Sequence, residues 1–371
     1  MSRIDKQSHS NKSLRLLSRL VLPPRSGDLS LLSIRPELTR EILNLSRMEF
    51  DDLVALADAN HVVVRGLETL LDLIFEENEP ICKKWAEAAL EAERARIETA
   101  VQHLCEICDA FERKSYRVAV IKSLDHWPDL GSDLDLFTNA SAEDIIQLME
   151  RIFDAQIAPR SWGDRLARKW NFIVPGLREA VEIHVGRLGQ TGEQMAIANS
   201  LLDRTRWMLI GGHSFCTASA SDRLMISTLQ RMYRHFYFRL CDIVDTVALA
   251  DAAGIDYETL RSSAGFAGIW EGVATYLVIV SDYAKYYRGS GLDLPQFVRG
   301  AARFGGDEVY YAKSFLRVPI MPQSATLYGS QLAGVVRRGE LLNGARLSLL
   351  PWLASAAVVG QILTGSDKGV W

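Results

Sequence analysis

The chain has 371 residues, 48% apolar and 24% charged, with a formal net charge of −4 and a pI near 6.0. That length allows two or three regions around a sizeable core. The slightly acidic balance argues against a broad nucleic-acid-binding face, which needs clustered excess Lys and Arg, but it leaves room for a local basic cleft.

Residues 1 to 25 are basic, and their apolar run from Leu17 to Leu22 is broken by Arg19, which is not a secretory pattern. Cysteines stand at 82, 105, 108, 216 and 241. An odd, scattered count fits free thiols in a reducing compartment, so the expected location is cytoplasmic. Cys105 and Cys108 form a CxxC near His103, but inside a helical pattern and with no second cysteine pair, so they read as buried thiols rather than a zinc knuckle.

Apolar residues at three- and four-residue spacing predict helices over Glu37 to Leu45, Val62 to Glu76 and Pro80 to Phe111. From Tyr116 the character changes. Tyr116 to Ile121 reads as a buried strand and Asp133 to Phe137 as a second. Ser141 opens a helix to about Phe153, with Asp144 three residues past the cap. Ala158 to Trp162 is read as a strand. Trp170 to Val174 and Ala180 to Val185 flank Pro175-Gly176 and read as a hairpin. Residues 190 to 221 bridge to a second helical region, with a long helix over Asp222 to Ala250. Further helices are expected over Tyr257 to Ala264, Ile269 to Tyr286, Asp307 to Phe315 and the apolar tail. The stretch Leu347 to Leu363 is the most apolar in the chain. It is slightly short for a membrane span and holds Pro351 and Gly360, so a buried helix is the reading and membrane association the lesser alternative. The expected fold class is α+β. A helical region over 1–113 and another over 221–371 flank a small mixed-sheet core over 114–220.

The chemistry concentrates at Asp133-Leu134-Asp135-Leu136. On a strand, residues i and i+2 share a face, so the two carboxylates aim together while the leucines enter the core. Paired carboxylates repel unless a cation sits between them. A hard ion such as Mg²⁺ (or Mn²⁺) suits such ligands and completes its shell with substrate phosphates.

With Lys122-Ser123 before them and Val181-Glu182-Ile183-His184-Val185 after them, these residues resemble the bacterial nucleotidyltransferase branch of the polymerase-β-like superfamily. The likeness covers roughly residues 115 to 190. It implies a nucleotidyltransferase core that binds ATP or another NTP. Asp133, Asp135 and Glu182 would be metal ligands and catalytic acids, although the usual third acid is Asp. The position of Ser123 is normally Gly, where the backbone approaches the triphosphate. Lys122, Ser123 and Ser132 are then phosphate contacts, and Gly131 provides a turn. The Arg that often precedes the acidic pair is absent, which leaves Arg165, Arg168 and Lys169 as candidate phosphate neutralisers. His184 alternates onto the Glu182 face. Within the expected 222–250 helix, His235 and Arg239 are four apart and share a face toward the cleft. Trp127, between the two motif halves, is a candidate base stacker.

The expected activity is transfer of an NMP from an NTP to a small-molecule, peptide or protein acceptor. Two alternatives stand beside it. Ser123, Glu182 and the missing Arg favour a nucleotide-binding scaffold or regulator without turnover. A tRNA-modifying toxin is the other, weakened by the absence of a basic run.

Overall fold

The structure is a computed structural model that describes residues 12–24, 30–75, 80–252, 254–312, 314–349 and 352. It begins with five helices: α1 (Lys12–Val21), α2 (Ser30–Leu43), α3 (Arg47–Ala59), α4 (Val63–Leu73) and α5 (Ile81–Arg113). A capping box starts α3: the Ser46 hydroxyl accepts from the Glu49 N–H, and the Glu49 carboxylate accepts from the Ser46 N–H. Pro80 is the N-cap of α5. Ala86, Leu90, Ile97, Val101, Leu104 and Phe111 make a buried stripe at helical spacing along it. That stripe lets α5 pack against α4 and onto the sheet.

The main sheet has seven strands: β1 (Val118–Val120), β2 (Asp133–Thr138), β3 (Gln156–Ile157), β4 (Lys169–Ile173), β5 (Ala180–Val185), β6 (Arg206–Ile210) and β7 (His213–Thr217). Their order is β3-β4-β5-β2-β1-β7-β6. It is mixed: β2 runs antiparallel to β1 but parallel to β5, and β1 runs parallel to β7. All of β2 after Asp133 is buried, as an apolar strand between two neighbours should be. A small second sheet has the order β8-β10-β9, formed by β8 (Tyr237–Phe238), β9 (Tyr310–Ala312) and β10 (Phe315–Arg317). The chain is therefore mixed α and β, consistent with the α+β expectation. One apolar core runs from Leu14 to Leu327 through all three expected regions.

Several expected elements are present. Ser141 caps the helix Ala142–Phe153, its hydroxyl accepting from the Asp144 N–H. Strands β4 and β5 form the hairpin around Pro175-Gly176. Helices Tyr257–Ala267 and Trp270–Arg288 follow.

Other expectations are corrected. The strand near 158–162 lies earlier, at β3, because Ser161 caps a short helix Trp162–Leu166 through its own capping box with Asp164. Residues 206–217 form a hairpin instead of a plain bridge, turning at Gly211 and Gly212, both at positive φ. The long helix over 222–250 is broken. Ala220–Thr228 is α-helical and Leu229–His235 is a π-helical stretch. Phe236 is left-handed, β8 follows, and a new helix runs Leu240–Asp251. The break lets the buried Arg231 Nε reach Asp242 Oδ2 at 2.7 Å. In a continuous helix, residues that far apart would be separated by about 16 Å along the axis. The helix expected over 307–315 is replaced by β9 and β10, whose Tyr310, Tyr311 and Phe315 suit a pleated surface.

All five cysteines are free, and Cys105 and Cys108 sit half-buried on α5. Among the described residues no helix is long and apolar enough to cross a membrane. The apolar tail 347–363, on which the membrane alternative rested, falls mostly outside the described residues.

Candidate active site

Strand β1 ends at Val120, and Lys122-Ser123 lead into a short 3₁₀ turn, Ser123–His126. The Ser123 hydroxyl accepts from the Asp135 N–H at 2.7 Å and donates to the Asp133 carbonyl at 3.0 Å. A buried hydroxyl thus pins the turn to the start of β2 and fixes where both aspartates stand. Its proton is engaged with the backbone and does not point into the cleft.

The parallel pairing of β2 with β5 sets Asp135 opposite Glu182. The Lys122 ammonium touches the Asp135 carboxylate and lies 3.5 Å from Glu182 Oε1. His184 Nε2 is 2.9 Å from the same Glu182 oxygen and 3.9 Å from Asp135 Oδ1. Lys169 Nζ is 2.9 Å from Glu182 Oε2 and 2.9 Å from Asp164 Oδ1. Burial opposes ionisation of Glu182, but the Lys122 and Lys169 ammoniums and the His184 N–H outweigh it and hold the carboxyl well below its usual range. Asp133 is different. It stands exposed at the cleft mouth, with the Ser132 hydroxyl 3.4 Å from its Oδ2. Desolvation by the surrounding protein, then the negative charges of Asp135 and Glu182, push its carboxyl up to about 6.

Asp135, Glu182 and His184 bring three ligand atoms within 4.8 Å of one another, a group able to hold a metal ion. Asp133 lies outside that trio, its carboxylate standing at the exposed mouth of the cleft while Asp135 is buried.

Facing the carboxylates across a cleft of about 180 Å³ is a basic wall built from the broken helix. Arg231, Arg234, His235, Tyr237 and Arg239 line it, with Gln230 beside them. His235 and Arg239 both reach the cleft, but not through a shared helical face. His235 ends the π-helical stretch, and Arg239 is the N-cap of the next helix. Among the described residues, Arg234 Nε, Arg239 Nε and Arg231 Nη1 are buried atoms without a hydrogen-bond partner. Burial, and then the charges of Arg234, Arg231 and Arg239, push the His235 imidazole well below its usual value, so it is neutral.

Some of the remaining predicted positions lie around this cleft and others do not. Lys122, Ser123, Gly131 and Ser132 line it. His184 borders a smaller adjoining cavity of about 50 Å³ that shares Lys122, Gln230 and Arg234. Gly131 serves close approach, since a Cβ there would come within 3.3 Å of His61 Nδ1 and 3.7 Å of His126 Cδ2. Trp127 leans toward the Gly211 turn, not toward the cleft. Lys169 is committed to Glu182 and Asp164, and Arg165 lies over the Trp162 ring, so the free cationic donors come from the 231–239 wall instead. His61 also lines the cleft, from the distant α3–α4 junction, and no local sequence signal marks it. Compared with protein-family models, curated proteins and solved structures, the chain matches none.

Proposed function

We propose that the protein is a Mg²⁺-dependent nucleotidyltransferase that moves an NMP from an NTP to a small-molecule, peptide or protein acceptor. The observation that carries this reading is the opposition of the Asp133/Asp135 face to arginine N–H groups that lack partners. A triphosphate with its cation is a ligand of that polarity.

The residues present fit a divalent ion. The Asp135 carboxylate faces the cleft paired with the Lys122 ammonium, a cation whose place a divalent ion would take, and the Asp133 carboxylate has a long contact from Ser132. Both would hold the ion, which supplies charge neutralisation for the departing pyrophosphate. Arg234 and Arg239 orient the phosphates through their free N–H groups. Neutral His235 offers a ring nitrogen at the acceptor side without adding charge. Glu182 fixes Lys122, Lys169 and His184, so it sets the shape of the carboxylate end.

The test is pyrophosphate release from ATP, GTP, CTP and UTP with Mg²⁺. Asp135→Asn should abolish it with circular dichroism unchanged, and retained turnover would refute the assignment. A second reading has one observation in its favour: the Lys122 ammonium already neutralises Asp135 and Glu182. It describes a nucleotide-binding regulator, and equal NTP affinity in EDTA without pyrophosphate release would establish it.

A further inference from the structure

At the edge of the cleft, three elements converge on a second group of ligating side chains. A ring nitrogen of His61, His126 Nε2 and Cys241 Sγ belong to residues whose ligand atoms lie within 4.8 Å of one another. The Cys241 Sγ to His126 Nε2 distance is 3.9 Å. Ligands around a tetrahedral zinc at bond lengths of about 2.0–2.3 Å are separated by about 3.3–3.8 Å, so a small contraction closes the set.

Each residue is held in place by partners outside the group. Asn60 is buried; its carbonyl accepts from the Cys241 N–H at 3.2 Å, and its Oδ1 accepts from the Leu240 N–H at 3.0 Å. The α3–α4 junction is thereby tied to the start of the Leu240–Asp251 helix. His61 follows directly, in a left-handed conformation at φ 53°. The His126 Nδ1 is 2.5 Å from Asp245 Oδ2, and Asp245 Oδ1 is 2.6 Å from Arg65 Nη1. A carboxylate on one imidazole nitrogen, leaving the other free to face a thiol, is the arrangement that orients histidine ligands of metals. Gly131 packs beside both rings: a Cβ there would press on the His61 ring at 3.3 Å and touch His126 Cδ2 at 3.7 Å.

We infer that His61, His126 and Cys241 form a binding site for a thiophilic transition-metal ion of the zinc type, joining the N-terminal helices, the β1–β2 turn and the C-terminal helical region. Arg239, whose Nη1 is 3.5 Å from His61 Nδ1, opposes the cation's charge, while Asp245 and the Cys241 thiolate offset it. With three protein ligands the ion keeps a fourth position, and both histidines border the cleft. The site is distinct from the Asp135, Glu182 and His184 trio and stands whether or not the nucleotidyltransferase reading holds.

The experiment uses the tag-free full chain, stripped with chelator under reducing, anaerobic conditions and titrated with Co²⁺. One equivalent should produce the thiolate-to-cobalt charge-transfer band in the near ultraviolet, and Zn²⁺ but not Mg²⁺ should erase it. Cys241→Ser should lose the band, while Asp135→Asn and Cys105→Ser should keep it. Should Cys241→Ser fail to fold, zinc-edge X-ray absorption of the wild-type protein reads the same contact. A sulfur scatterer at about 2.3 Å supports the site. A nitrogen-and-oxygen shell alone, no band at saturation, or a band that survives in folded Cys241→Ser overturns it, and the Cys241–His126 contact is then a thiol hydrogen bond only.

Discussion

Asp135 and Glu182 face each other across the parallel β2–β5 ladder, and the Lys122 ammonium lies between their carboxylates. Two buried acids at matched register repel unless a cation is present. The chain supplies one from its own backbone neighbour, at the end of β1. A divalent ion entering this place must therefore compete with a lysine.

That competition gives a first prediction. Lys122→Ala leaves the pair uncompensated and should cost about 3 kcal/mol of stability in EDTA, the scale of breaking a buried ion pair. Millimolar Mg²⁺ should restore much of it through binding to the folded state. Thermal melts with and without Mg²⁺ read this directly: the variant's midpoint should climb by several degrees and the wild type's far less. Equal responses would mean that lysine and metal do not share the place.

Asp133 gives a prediction about pH. Its carboxyl is pushed up to about 6, so between its ordinary 3.8 and that value the folded protein holds a proton that the unfolded chain has released. Stability from this group is therefore present at low pH and declines as pH rises through the window. Because Asp133 is exposed at the cleft mouth, solvent screens part of the effect. Asp133→Asn should thus be at least as stable as wild type at pH 7, with the difference vanishing below pH 4, in urea midpoints at the two pH values. On the proposed function, Mg²⁺ is held by the ionised form, so wild-type NTP affinity should fall as pH drops through the same window.

The acid pair and the Glu182/His184 face were legible because strand alternation is local: period two places Asp133 with Asp135 and Glu182 with His184 before any fold is known. The Ser141 cap and the 169–185 hairpin were legible for the same reason. The basic wall was not. Residues 222–250 carry an unbroken helical pattern, and what breaks it is tertiary. Arg231 is buried on Asp242, and Phe238 pairs with Leu316 of β10. His61 enters the cleft because Asn60 bonds to Leu240 and Cys241, a contact that no sequence period encodes. Gly211-Gly212 did carry a hairpin signal, and with it the sixth and seventh strands.

On the proposed function, Arg234 is the residue that separates phosphate recognition from acid chemistry. Its buried Nε has no partner among the described residues, so a bound anion gains that bond without breaking another. A hydrogen bond to a charged group contributes about 1.5–3 kcal/mol, or roughly tenfold to a hundredfold in affinity. Arg234→Gln should weaken NTP binding by that factor in calorimetry while changing nucleoside binding little. Equal losses for NTP and nucleoside would place Arg234 away from the phosphates.

Glu182 is the residue on which position and chemistry meet. Its two oxygens are engaged by Lys169, His184 and Lys122, which is the environment of an anchor. Glu182→Gln keeps the shape but leaves Lys169 to Asp164 and Lys122 to Asp135. At pH 7 this should cost about 3 kcal/mol. The sign with pH follows from the depressed carboxyl. Its stabilisation is present above the ordinary glutamate range and is lost as pH falls below it, so the gap between wild type and variant should close in acid. The loss should also shrink in a Lys169→Met background, where one of the cations needing compensation is gone, a coupling that a double-mutant cycle measures. Pyrophosphate release per folded molecule should then fall in Glu182→Gln by less than in Asp135→Asn. A variant that is as stable as wild type yet inactive would assign Glu182 to the chemical step instead.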